Sequence, residues 1–101
     1  MKKILIVSSS SGGHVYPSLI LGEELIKRGY KVTYAGIKNQ IEEKIIANLI
    51  TYDIPNSFKK ALSFNGIKKL HNSKKNIKEL IESNDVVIGF GGFITFIFAL
   101  I

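Results

Sequence analysis

The stretch Ser8-Ser9-Ser10-Ser11-Gly12-Gly13-His14 places small residues and one imidazole between a short apolar run, residues 4–7, and a segment with helical spacing. A loop of small residues in that position lets backbone N–H groups approach a phosphate closely. The helix N-terminus that follows favours the phosphate's negative charge. The same residues also fit a plain tight turn from strand to helix. At His14, a neutral imidazole can take a proton from a hydroxyl nucleophile near neutral pH. A lone histidine serves equally well as a structural hydrogen-bond partner. The four serines offer hydrogen-bond donors but belong to no recognisable nucleophile motif.

A second close-approach turn stands at Phe90-Gly91-Gly92-Phe93. Its glycines admit a ligand near the backbone, and Phe93 either lines a site or belongs to the core. The other histidine, His71, lies among lysines and is expected to face solvent. Two phosphate-binding motifs are absent, G-x-x-x-x-G-K-[ST] and G-x-G-x-x-G. The second apolar run ends in Ala35-Gly36 with no acid to hold a ribose, which argues against a dinucleotide.

These residues need a scaffold, and the chain is long enough for one domain. It has 101 residues, of which 46% are hydrophobic, so a core can form. No cysteine is present, which removes disulfides and thiolate-held metals. The Met1-Lys2-Lys3 start is followed by too short an apolar run for a signal peptide, and a cytoplasmic first strand is expected. The net charge of +6 is concentrated locally. Residues 54–78 hold seven lysines (59, 60, 68, 69, 74, 75 and 78) and no acid. That cluster fits a solvated surface or an anionic lipid headgroup region. It matches no nucleic-acid module, and no nucleic-acid partner is expected.

The periodicity predicts alternating strands and helices. Strands are expected at residues 3–7, 31–35, 50–54 and 85–89. A first helix should begin between Gly13 and Pro17, with Pro17 in its first turn, and end at Arg28 before the stop signal of Gly29. Its buried face would carry Leu19, Gly22, Leu25 and Ile26. Residues 42–49 suit a short second helix, and 56–66 a loop. Residues 67–83 suit a third helix buried through Leu70, Ile77, Leu80 and Ile81. From Val86 to Ile101 there is no charge, but the segment is shorter than the ~20 residues a membrane helix needs and contains three glycines. A buried strand, a turn and two turns of helix are expected there, leaving Phe96, Phe98, Leu100 and Ile101 exposed. The implied fold class is α/β, a Rossmann-like parallel sheet with helices on both faces. Ligands belong at the carboxyl ends of the strands, where the loops after the first and fourth strands meet.

Read together, "SSSSGGHVYPSLILGEELIKRGYKVTYAG" and "DVVIGFGGFITF" resemble the N-terminal domain of the bacterial peptidoglycan glycosyltransferases typified by MurG. The family's G-G-T-G-G-H opening, continued by a hydrophobic residue, an aromatic and P-A-L, corresponds to Ser9 through Leu19. Its D-V-V-x-G-x-G-G-aromatic turn corresponds to Asp85 through Phe93. The resemblance spans essentially the whole chain and is weakest in the middle. It implies the N-terminal half of a GT-B fold, which needs no metal and no cofactor. It also implies transfer of N-acetylglucosamine from UDP-GlcNAc to an undecaprenyl-pyrophosphoryl-muramyl-pentapeptide, lipid I, at the cytoplasmic face of the membrane.

By residue, the resemblance implies that Ser11, Gly12 and Gly13 contact the donor and that His14 is the base or an acceptor-site residue. It also places Gly91, Gly92 and Phe93 at the substrate site. Lys59, Lys60, Lys68 and Lys69 are expected to meet an anionic membrane surface. Glu42 matches the family's acidic residue after the second strand, although Gln40 stands where glycine is usual. Ser9, Ser10 and Ser11 replace two glycines and the threonine, and Ser57-Phe58-Lys59 stands in place of G-L-R. The largest departure is length. Residues 1–101 correspond to the acceptor-side domain alone, so a C-terminal donor-binding domain or partner subunit is the expected complement. A fragment, one subunit of a split transferase and an inactive remnant are the three forms this allows.

Overall fold

A computed structural model describes residues 2–8, 12–38, 42–46, 48–53, 60, 62–90 and 92–100, with the side chains of 12–14, 42–43, 92–93 and 96 outside the description. The elements run β1 (Lys3–Ser8), α1 (Gly12–Lys27), β2 (Lys31–Ile37), α2 (Glu42–Ile45), β3 (Ile50–Tyr52), α3 (Phe64–Glu82), β4 (Val86–Phe90) and α4 (Gly92–Leu100). The four strands form one sheet in the order β3-β2-β1-β4, and every neighbouring pair is parallel. This is the doubly wound arrangement expected from the alternation of elements.

β1 is an interior strand, paired on both sides, and its alternate side chains serve two different layers. Leu5 and Val7 join Ala35, Ile37 and Tyr52 on one face, where Ile77 of α3 and Ile94, Ile97 and Phe98 of α4 cover them. Leu70, Leu80 and Ile81 of α3 pack against the same cluster, which bears out the face predicted for that helix. On the opposite face lies α1. There Gly22 comes so close to Tyr34 that any added Cβ would overlap the phenol. Burial is the main reason the Tyr34 phenol is raised above its ordinary pKa, with Glu23 adding to the effect.

Local chemistry explains the boundaries, including those that differ from expectation. α1 starts at Gly12, so Pro17 falls in its second turn and not its first. A proline there removes the N–H that would have reached the Gly13 carbonyl, a loss confined to the helix's first turns. The buried face of α1 is built from Val15, Ser18 and Gly22, whereas Ile26 is 53% exposed. The helix ends as predicted. Gly29 adopts φ 93°, its N–H reaches the Ile26 carbonyl at 3.0 Å, and the Tyr30 N–H reaches the Leu25 carbonyl at 3.1 Å. This paired arrangement is the Schellman motif, which needs a left-handed residue at Gly29.

β2 continues two residues beyond its predicted end, to Ile37. α2 stops at Ile45, well before residue 49, and Asn48 takes a left-handed φ of 59°. β3 comprises only residues 50–52, and Ile54 lies outside the described residues. α3 begins at Phe64, inside the predicted loop, because Ser63 caps it: the Gly66 N–H donates to Ser63 Oγ at 3.1 Å. β4 is an edge strand, so Val86 and Val87 remain 38% and 40% exposed where a buried strand was expected. Phe98 is buried, 5% exposed, and meets Tyr52 edge-to-face with ring centroids 5.9 Å apart. Leu100 is exposed as predicted. The Phe96 side chain and Ile101 lie outside the described residues.

Candidate active site at the carboxyl ends of β1 and β4

The chain leaves β1 toward β2 and later returns to β4 on the other side of β1. The point of reversal is therefore the gap between β1 and β4. In an open α/β sheet, ligands settle outside the carboxyl ends of the strands at such a reversal. The last residues of the two strands, Ser8 and Phe90, are register partners. The strand ends that lead into the two turns singled out in the sequence are therefore neighbours. α1 starts at Gly12 and α4 at Gly92, each at the head of its helix.

Gly12, Gly13 and His14 occupy the first turn of α1, where backbone N–H groups have no partner within the helix. Ser11 and Gly91 lie outside the described residues, as do the side chains of His14, Phe93 and Glu42. Lys60, Lys68 and Lys69 are exposed, remote in sequence from the two turns, and Lys59 lies outside the described residues. Lys69 forms an exposed ion pair with Asp53 at 3.4 Å. His71 is exposed on α3, as expected. Among the described residues, no three His, Cys, Asp or Glu side chains gather as a metal site.

A buried polar link at the base of this site is not apparent from the motifs. Ser8 and Ser18 are both fully buried, with hydroxyl oxygens 3.2 Å apart. Ser18 Oγ donates to the Val15 carbonyl at 2.6 Å. That commits the single Ser18 proton, so Ser8 is the donor between the two hydroxyls. The link ties the end of β1 to the second turn of α1 and so fixes where the helix begins. A small polar residue after Pro17 was the only sequence signal for it.

Removing Ser18 should leave the buried Ser8 hydroxyl without this acceptor, whereas Ser18 keeps its bond to the Val15 carbonyl when Ser8 is removed. Ser18→Ala is expected to lower unfolding free energy by about 1–3 kcal/mol, read from urea denaturation. A Ser8→Ala/Ser18→Ala double variant should lose less than the sum of the single changes. Additive losses would show that the two hydroxyls are uncoupled.

Asp85, the acid of the second motif, has a structural role at the opposite end of the sheet. Its carboxylate accepts from the Lys3 N–H at 2.7 Å, and its own N–H donates to the Lys3 carbonyl at 2.8 Å. It locks the register of β4 against β1 and does not approach the candidate site.

Comparison with known proteins agrees with this architecture. The crystal structure of MurG from Acinetobacter baumannii superposes with a TM-score of 0.82 at 19% identity, covering 99% of this chain and 32% of that one. A transferase of Buchnera aphidicola subsp. Schizaphis graminum is 35% identical over 103 residues, covering 93% of this chain. A Neisseria meningitidis serogroup A protein is 33% identical over 106 residues, covering 94%. Both bear the name UDP-N-acetylglucosamine–N-acetylmuramyl-(pentapeptide) pyrophosphoryl-undecaprenol N-acetylglucosamine transferase. This chain spans 29% of the length of each. Residues 4–100 match the model of the glycosyltransferase family 28 N-terminal domain, and the chain belongs to that family.

Proposed function

We propose that this chain is the acceptor-side half of a transferase that moves N-acetylglucosamine from UDP-GlcNAc to undecaprenyl-pyrophosphoryl-MurNAc-pentapeptide, giving lipid II. The observation that carries this reading is the match of residues 4–100 to the family domain, together with the shared name of its relatives. The parallel sheet supports it by pairing the ends of β1 and β4, from which the chain leads to the helices that start at Gly12 and Gly92.

In this mechanism His14 removes the proton from the acceptor hydroxyl as that oxygen attacks the anomeric carbon, and UDP departs with the electrons of the broken glycosidic bond. The N–H groups of Ser11, Gly12 and Gly13 face phosphate and sugar oxygens, where a helix N-terminus favours negative charge. Gly91, Gly92 and Phe93 close the other side of the cleft. A complementing C-terminal domain, joined to this chain or supplied as a partner subunit, holds the nucleotide. The test is transfer of labelled GlcNAc to a lipid I analogue by this chain completed with the C-terminal part of a relative. Absence of transfer by a folded, completed enzyme would remove the reading.

The second reading is a membrane-recruiting subunit of a split transferase, and the surface around the start of α3 favours it. Leu62, Phe64 and Ile67 are 81%, 84% and 57% exposed, among the lysines of the same segment. No helix of the described residues is long and apolar enough to cross a membrane. Exposed apolar side chains ringed by lysines suit peripheral attachment to an anionic cytoplasmic leaflet, each lysine adding about 1 kcal/mol near the charged surface.

Binding to vesicles containing phosphatidylglycerol should therefore fall steeply with salt, because the attraction is screened over about 10 Å at 0.1 M. Changing Lys59, Lys60, Lys68 and Lys69 to Gln should weaken it further, as measured by co-sedimentation. Equal binding to neutral and anionic vesicles would leave the lysines as a solvated surface.

A further inference from the structure

Among the asparagines of the chain, Asn65 alone is followed by glycine. Glycine has no Cβ to shield its nitrogen, so in this dipeptide a backbone nitrogen most readily attacks the asparagine carboxamide. Folded structure decides whether it does. Asn65 is exposed in the first turn of α3, where side chains lean toward the helix N-terminus and away from the nitrogen that follows. The Gly66 N–H is committed as well. It donates to Ser63 Oγ at 3.1 Å, while the same hydroxyl donates to the Lys60 carbonyl at 2.7 Å.

This restraint is local. The first N–H groups of a helix have no intrahelical acceptor, so a side-chain hydroxyl holds the Gly66 N–H. Gly66 is buried, and attack by its nitrogen needs the turn to open. Leu62, Phe64 and Ile67 around it are exposed, so little apolar burial resists that opening. Asn84 is different, because its carboxamide already donates to the Leu80 carbonyl at 2.9 Å. Lys60, Ser63, Asn65, Gly66 and Lys69 line one cleft of about 220 Å³. A carboxylate formed at residue 65 therefore shares a cleft with two lysines of the basic surface.

We propose that Asn65 is a site of spontaneous deamidation gated by the Ser63 cap, and that its conversion weakens the hold of this surface on anionic lipid. When the first turn opens, the Gly66 nitrogen loses its proton to solvent base and attacks Asn65 Cγ. The new N–Cγ bond closes a cyclic imide. The Cγ–Nδ2 bond breaks, and ammonia leaves after taking a proton from solvent. Water then opens either imide carbonyl, giving aspartate or isoaspartate at residue 65. Both products replace a neutral amide with a negative charge. The lipid consequence rests on the membrane reading above, and the modification does not.

The test incubates the full chain in mildly alkaline buffer and follows residue 65 by peptide mass mapping, in which deamidation replaces NH2 with OH. In the folded chain Ser63→Ala should speed conversion about 5-fold, the population shift that loss of a cap allows. Ser63→Thr keeps a capping hydroxyl and should convert at the wild-type rate. Unfolding in urea should accelerate conversion of the wild-type chain beyond either variant, and Gly66→Ala should stop it in urea on the same timescale. The site is overturned if Asn65 stays intact in urea, or if the native and urea-unfolded wild-type chains convert equally fast. The gate is overturned if wild-type and folded Ser63→Ala chains convert equally fast. Converted chain, separated by ion exchange, should bind phosphatidylglycerol vesicles about 5-fold more weakly, the effect of one charge at such a surface. Equal binding by both forms would overturn the release from lipid and leave the modification. Failure of the unconverted chain to bind would remove the membrane reading instead.

Discussion

Given UDP-GlcNAc and a lipid I analogue, the isolated 101-residue chain should produce no lipid II above background. The reason is geometric. On the proposed function, the candidate base and the helix starts form one wall of a cleft whose other wall belongs to the complementing domain. Without that wall, donor and acceptor meet as independent solutes. Pre-positioning of two reactants corresponds to effective molarities of about 10⁵–10⁸ M, or about 7–11 kcal/mol of the barrier. Its loss puts turnover below detection in a radiolabelled GlcNAc transfer assay. The completed enzyme should restore activity at the same concentration of this chain. Turnover by the isolated chain would contradict the assignment of its role as half of a cleft.

In the completed enzyme, His14→Ala should lower kcat by about 10²–10⁴-fold, the usual scale for a positioned general base. Donor affinity should change little, since the backbone N–H groups of Ser11, Gly12 and Gly13 remain. Folding should also survive. Residue 14 is in the first turn of α1, where alanine is a good helix former, and the helix start is anchored separately by Ser8 and Ser18. A structural histidine would behave in the opposite way, with a lower melting temperature and near-normal kcat per folded molecule. Measuring kcat on the folded fraction beside a thermal melt separates the two outcomes. A destabilised variant with unchanged kcat would remove His14 from the mechanism.

Much of the scaffold that presents these residues is legible in the chain itself. The apolar run before Ser8, the stop at Gly29 and the helical spacing of Leu70, Ile77, Leu80 and Ile81 act over one or two turns. Such signals depend on local backbone chemistry, so they can be read without the fold. Ser63 belongs to the same class, since a serine preceding a helix accepts the N–H three residues on. Predicting the start of α3 at residue 67 overlooked that cap. The sequence also places the candidate site at two glycine turns, because alternating strands and helices allow few topologies.

What only the tertiary structure decided are the relations between distant residues. Ser8 and Ser18 become a buried pair because β1 and α1 pack together, and Tyr34 faces Gly22 for the same reason. Phe98 is buried because Tyr52, far away in the chain, supplies a ring for it to meet. β4 is as apolar as a central strand, yet it lies at the sheet's edge. Composition reports what a strand can tolerate on its faces, whereas its neighbours are fixed by the hand and direction of the crossovers. By itself the sequence determined the strand–helix alternation, the two turns and the imidazole beside the first. The packing of the crossovers decided that the strand ends leading into those turns are neighbours and that β4 pairs with β1, because handedness acts on whole elements.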